Sequence, residues 1–335
     1  IEKYEDKISW HNLSTNKYNF YNKDTIQYYK KRKTQTIEQI KKFKQELIAI
    51  TWHPDRFMEW CVDIEELKET ITKEVAKSNL PEVTKILCLA SYRPLHQYDW
   101  CQKLKCLDSL EEVKKRLIDE PLLEKMIAKD IPVLGEVSNE VSLKVREQYE
   151  ENPYPRWVKP AVSKNAKPIA AVCDELKLEI NSEAFKNVAA PSILIAGCGT
   201  GQHSIETASR FLNCHVTAVD LSLASLAYAK RKSNELHLTN LDYLQADILH
   251  LHQLGKEFDL IESGGVLHHM DDPIIGWKIL VDLLKPGGLM KIGLYSELAR
   301  QDIVRTRKEI KSLSIGTSEA EMRKFRRIII NSPKE

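Results

Sequence analysis

Between Ile193 and Leu294 the chain repeats one pattern: a short apolar run, a polar or glycine-bearing break, then an amphipathic stretch. The apolar runs are Ile193–Ala196, His215–Val219, Leu241–Ala246, Phe258–Ile261 and Gly288–Leu294. Short apolar runs that stop at turn residues read as strands buried on both faces. Ser204–Leu212, Leu223–Leu236 and Pro273–Leu284 carry helical periodicity, and His250–Leu254 reads as a short turn. Strands alternating with helices predict an α/β fold with a doubly wound parallel sheet. Upstream, residues 1–34 are polar and aromatic without clear periodicity, and helical runs follow, broken at Trp52–Arg56. Thr36–Ile50 places Ile37, Ile40, Phe43 and Leu47 on one face, and Ile64–Ser78, Pro81–Ala90, Ser109–Asp119, Leu122–Lys129 and Val137–Tyr149 follow. Pro153, Pro155 and Pro160 then exclude a regular helix. The expected organisation is a mainly helical region over 1–148, a Pro- and aromatic-rich strap and transition over 149–190, and an α/β domain over 191–335. Within the transition, Ile169–Cys173 and Leu176–Ile180 are weakly patterned. After Leu294 the pattern gives helices at Glu297–Leu313 and Ser318–Arg327, and then a strand-like Ile328–Ile330.

The first strand enters a glycine loop, Gly197-Cys198-Gly199-Thr200-Gly201, and a helix leaves it. Strand, glycine loop and helix open a nucleotide-binding βαβ unit. A Cβ in such a loop would hold a ligand off the backbone, and the turn calls for positive φ. A dinucleotide loop wants a small residue at the third position of G-x-G-x-x-G, where this chain has Gln202. Asp220 ends the second strand, where a carboxylate can accept hydrogen bonds from both ribose hydroxyls. Asp247 ends the third, where it can meet an adenine amino group. Glu262 ends the fourth. Capping of the helices that follow is the structural alternative for both aspartates. Three acids around one crevice call for a cationic ligand or many donors.

"LIAGCGTG", "VTAVDLS", "LQADIL", "FDLIESGGVLHHM" and "LLKPGGLMKIGLYSELAR" resemble the successive motifs of class I S-adenosylmethionine-dependent methyltransferases, in order, from Pro191 to Arg300. "ASYRPLHQ" (Ala90–Gln97) and "VREQYEENPYPRW" (Val145–Trp157) resemble, more narrowly, a bacterial group often fused to tetratricopeptide repeats, although no 34-residue repeat is visible here. The resemblance implies a Rossmann-like fold and S-adenosylmethionine as cofactor. It assigns Gly197, Gly199, Gly201, Asp220, Leu221, Asp247, Ile248 and Glu262 to cofactor binding. It identifies the cofactor far better than the methyl acceptor. Two departures stand out. Many relatives carry an acid just before the first glycine, where this chain has Ala196. The class also closes its sheet with a sixth and an antiparallel seventh strand, which are not evident. The chain begins at Ile1 without Met, so a longer polypeptide and a domain incomplete at its C-terminus are consistent with the reading.

Methyl transfer from a sulfonium needs alignment and desolvation first. An acceptor that carries a proton also needs a base. His268 and His269, past the fourth strand, are the candidates, against the alternative that they pack the loop. Tyr149, Tyr154 and Arg156 form the other group: a lid whose aromatics meet a sulfonium and whose arginine clamps an acid, or a strap of packed core residues. Composition changes little. A net charge of +2 gives no reason to expect nucleic acid, and the basic Lys30-Lys31-Arg32-Lys33 run reads as a solvated face. No apolar stretch approaches the ~20 residues of a membrane span, and no secretory leader is recognisable. Seven cysteines without a C-x-x-C pair fit a reducing, cytoplasmic compartment and no metal site. Cys198 reads as a small residue in a tight turn. The expected activity is methyl transfer to an unidentified small molecule or protein side chain, in an unknown oligomeric state. A non-catalytic cofactor-binding or scaffolding module is the alternative, and a nicotinamide oxidoreductase is disfavoured by Gln202.

Overall fold

A computed structural model describes residues 64–77, 81, 83–104, 110–180, 182–316 and 318–331. The expected helix at 36–50 and the basic run at 30–33 lie outside them. The chain divides after Leu110 into two compact units. In the first, α1 (Ile64–Ala76) and α2 (Val83–Tyr92) bury Ile71, Val75, Ile86 and Leu89, at the i, i+3 and i+4 spacings that make one helix face. Trp100 stacks on Tyr98 and donates its indole N–H to the Thr72 hydroxyl at 2.9 Å.

The second unit starts at Glu111, upstream of the 148/149 boundary read from the sequence. The reason is a strand the periodicity did not show. Val133–Leu134, β1, pairs in parallel with Gln245–Ala246 and so ties the upstream segment into the sheet. The other strands are β2 (Ser192–Ala196), β3 (His215–Asp220), β4 (Leu241–Ala246), β5 (Phe258–Gly264) and β6 (Leu284–Gly293). Their order is β1-β4-β3-β2-β5-β6, and every pairing is parallel. Among the described residues β6 is the outer strand, and the sheet is open there. The longer helices of this unit are α3 (Glu120–Ile127), α4 (Glu140–Glu151), α5 (Ile169–Glu175), α6 (Gln202–Arg210), α7 (Leu223–Glu235), α8 (Pro273–Asp282), α9 (Gln301–Ser312) and α10 (Glu319–Asn331). The strand-like Ile328–Ile330 is helical, because α10 continues through it.

The consecutive apolar runs are explained by two cores. Ile193, Ile195, Val216, Ala218 and Tyr243 face α5, α6 and α7. Leu194, Ala196, Val219, Ala246 and Ile261 face the opposite layer, with Leu280 and Leu283 at the end of α8. Successive side chains of a strand point to opposite faces, so a strand covered on both faces must be apolar at every position.

Candidate active site

Strand order reverses at β2, whose neighbours are β3 on one side and β5 on the other. In open parallel sheets that is where ligands bind, outside the carboxyl ends of the strands. A cavity of about 550 Å³ lies there, a size that suits one ligand with a small co-substrate.

The glycine loop forms its floor. The Gly197 and Cys198 amides both donate to the Val219 carbonyl at 2.9 Å, which locks the loop onto β3. Gly197, Gly199 and Gly201 all have positive φ. A Cβ on Gly197 would lie 2.3 Å from Val266, and one on Gly201 would lie 2.4 Å from the Ala229 Cβ. On Gly199 the nearest atom would be the Tyr154 carbonyl oxygen at 3.8 Å. Two glycines therefore serve packing, and Gly199 leaves open space inside the cavity. Cys198 is buried, and burial pushes its thiol well above the ordinary range. It stays protonated and fills the turn.

Asp220, Leu221, Asp247 and Ile248 line the cavity, with Gly197 and Gly199. Gly201 lies behind, against α7. Asp220 accepts the Gly199 amide at 2.7 Å and the Ser222 amide at 3.0 Å, one on each carboxylate oxygen. Burial pushes its pKa up, and these donors partly offset that. Each oxygen keeps a further lone-pair site. Ser222, not Asp220, caps α7, accepting the Ser225 amide at 3.0 Å. Asp247 does cap the turn after β4, taking the Leu249 amide at 3.0 Å on Oδ1. Its Oδ2 is buried without a hydrogen-bond partner. A buried acceptor left empty costs about 1–3 kcal/mol, so this oxygen marks a place for a donor.

Glu262 does not line the cavity. It sits 3% exposed behind the wall, accepting the Thr207 hydroxyl at 2.8 Å on Oε2 and the Lys291 ammonium at 3.3 Å on Oε1. His203 Nε2 lies 2.9 Å from Oε2. Burial pushes this carboxyl up, but the imidazole, the ammonium and the hydroxyl outweigh it and hold the pKa at about 2. Of the three acids expected around the crevice, Asp220 and Asp247 line it, together with Glu206, while Glu262 is held behind the wall by Lys291 and His203, which themselves line the cavity.

The strap forms the roof. Tyr149, on α4, and Tyr154 and Pro155 line the cavity. Thr200 donates its hydroxyl to the Pro155 carbonyl at 2.6 Å, and the Trp157 indole donates to the Thr200 carbonyl at 3.0 Å, so the roof is bolted to the loop. Glu150 accepts the Ser222 hydroxyl at 2.9 Å and the Ala224 amide at 3.2 Å. Burial and the Asp220 charge raise the Tyr149 hydroxyl pKa. Arg156 departs from the expected lid. Its guanidinium pairs with Glu124 at 3.0 Å and covers the Tyr228 ring at 4.8 Å, outside the cavity lining. The buried carboxylate of Glu124 draws it into the α3–α7 interface.

Of the two candidate bases, His269 lines the cavity and His268 does not. His268 stacks on Tyr295, ring centroids 3.9 Å apart. Burial lowers both imidazole pKa values, reinforced by His269 and Arg300 for His268 and by Arg307 for His269. Both are neutral at pH 7. The sequence reading missed Thr200, His203 and Lys291 as parts of the site. Lys291 had a signal, a lone cation inside the apolar run Leu289–Leu294.

Residues 193–288 match the family described as "Methyltransferase domain". An uncharacterized protein of Synechococcus is 37% identical over 114 residues, covering 34% of this chain and 27% of its own length. (S)-Coclaurine N-methyltransferase of Papaver somniferum is 32% identical over 99 residues, 30% of this chain and 28% of its own length. The chain spans between about a quarter and a half of the curated relatives it matches. Magnesium protoporphyrin IX methyltransferase from Synechocystis, solved with bound S-adenosylmethionine, is 19% identical over 45% of this chain and 75% of its own, with a TM-score of 0.32. The family match and the parallel sheet together make this an open-sheeted class I methyltransferase fold with a helical N-terminal region.

Proposed function

We propose that the protein binds S-adenosylmethionine across the ends of β4, β3 and β2 and transfers its methyl group to a small molecule or a protein side chain. The observation that carries this is the pair of carboxylates at adjacent strand ends, with the buried Oδ2 of Asp247 lacking a donor. Asp247 would accept the adenine amino group, and Asp220 would accept ribose hydroxyls on its remaining lone pairs. Gly199 leaves room for the ligand at the backbone. Leu221 and Ile248, beside the two acids, would sandwich the base. When bound, the sulfonium supplies a methyl group that is already activated. The chain's part is then to align the acceptor, exclude water under Tyr149, Tyr154 and Pro155, and take a proton on the neutral His269 where the acceptor carries one.

The likeness of Val145–Trp157 to the bacterial group often fused to tetratricopeptide repeats agrees with a roof built from that segment. In this reading 149–190 serves as strap and transition and 191–335 carries the cofactor, with β1 adding an outer strand from upstream. Cys101, Cys173, Cys198 and Cys214 carry free thiols, which favours a reducing, cytoplasmic setting. No helix among the described residues is long and apolar enough to cross a membrane. A non-catalytic cofactor-binding module is the second reading, favoured by Ala196 in place of the family's acid. Calorimetric titration with S-adenosylmethionine and with NAD tests cofactor class: binding of NAD alone overturns the proposal. Formation of S-adenosylhomocysteine in the presence of cell extract separates transfer from binding only.

A further inference from the structure

The cavity crosses the carboxyl ends of β4, β3, β2, β5 and β6 in that spatial order. Its acids Asp247 and Asp220 stand at the β4 and β3 ends. At the other end the lining holds Lys291 on β6, His203 in the first turn of α6 and Glu206 on the same helix. Lys291 lies across from Glu262 in the strand register, and Glu262 lies across from Ile195, one residue before Ala196. The carboxylate that binds Lys291 is also bonded to Thr207, so the ammonium is pinned at 3.3 Å from one side. An ammonium has three donors. One is spent on Glu262, and the side chain is 61% exposed. Glu206 accepts the Gln202 side-chain amide at 3.2 Å and the Ala161 amide at 3.3 Å, both on Oε1, which leaves the Lys291 ammonium as the lysine donor at this end of the cavity.

We infer that Lys291, held in place by Glu262, is a carboxylate anchor at the β5–β6 end of the cavity. It is a binding residue: its ammonium holds a ligand carboxylate at the end of the cavity opposite Asp247 and Asp220. The inference rests on the cofactor reading above. The carboxylate has two possible sources, the amino-acid end of the cofactor or an acidic methyl acceptor.

The test is calorimetry on the full 335-residue chain and on its Lys291→Met and Lys291→Arg variants. The probes are S-adenosylhomocysteine, methylthioadenosine, which lacks the amino-acid carboxylate, and succinate added to the S-adenosylhomocysteine complex. Losing one exposed charge-assisted hydrogen bond corresponds to about a tenfold weakening. If Lys291→Met weakens S-adenosylhomocysteine by that factor and leaves methylthioadenosine unchanged, the anchor holds the cofactor. If both nucleosides are unchanged and succinate binding is lost, the anchor holds the acceptor. Lys291→Arg, which keeps the charge, retains most of the affinity in either case. Equal weakening of both nucleosides, or no change with any probe, overturns the anchor. An unaltered chain that binds neither nucleoside overturns the cofactor reading itself, whereas one that binds both, with a silent Lys291→Met, overturns the anchor alone.

Discussion

Asp247 shows how a single oxygen reports a missing partner. Asp247→Asn keeps the acceptor that caps Leu249 but turns the orphan Oδ2 into a donor. The variant is expected to fold with an unchanged melting temperature and to bind S-adenosylmethionine about tenfold or more weakly, as read by calorimetry. Asp220→Ala loses the carboxylate proposed to accept the ribose hydroxyls and also frees the Gly199 and Ser222 amides. It is expected to lower affinity by at least as much and stability as well, so an unchanged dissociation constant in a folded variant removes it from the site. Glu262 acts on acid stability. Its folded pKa of about 2 lies below the ordinary 4.5, so its stabilisation is full above about 4.5 and is lost as pH falls toward 2. The melting temperatures of the parent and of Glu262→Gln should therefore converge on acidification through that window. A constant gap would show that the carboxylate is not held charged.

At the scale of elements, the glycine loop separates two kinds of glycine. Gly197→Ala meets Val266 at 2.3 Å and has positive φ, and should cost about 2 kcal/mol or more. Gly199→Ala meets no atom nearer than 3.8 Å, and should cost about 1–2 kcal/mol for its backbone while weakening cofactor binding more. Thermal melts and titrations of the pair should rank in opposite orders. The strands, the loop and the two strand-end acids that line the cavity, Asp220 and Asp247, were legible in the sequence because each depends on its own run of residues. Strand ends fall where apolar runs stop, and parallel strands put those ends side by side. Glu262 was misplaced because the sequence marks a strand's end but not which layer the side chain enters; Thr207 and His203, on α6, drew it behind the wall. Arg156 was misplaced for the same kind of reason, since its partner Glu124 lies far upstream. A two-residue strand such as β1 has too few positions to show a period.

In the unit as a whole, the upstream segment is built into the methyltransferase layer through a buried ion network. Arg231 on α7, 2% exposed, meets Glu124 at 2.9 Å and Glu120 at 3.2 Å on α3, and also Glu235. Arg156 shares Glu124 and covers the Tyr228 ring. Removing one partner of a buried pair leaves a charge uncompensated, at about 3–5 kcal/mol. With Glu120 and Glu235 still present, Glu124→Ala should cost toward the lower end, about 3 kcal/mol. Arg156→Ala should lower the melting temperature while leaving cofactor affinity near that of the parent. A drop in affinity without a drop in stability would instead restore Arg156 to the cavity.

The pairing of β1 with β4 sets the order of events during synthesis. Val133 leaves the ribosome well before its partner Gln245 is made. At roughly 5–20 residues per second, that interval is on the order of ten seconds. For much of it Glu120, Glu124 and the aromatic strap lack Thr200, and until near its end they lack Tyr228 and Arg231. The nascent chain carries the roof of the cavity before the floor exists, and only completion of β4 and the strands around it gives that roof a place to rest.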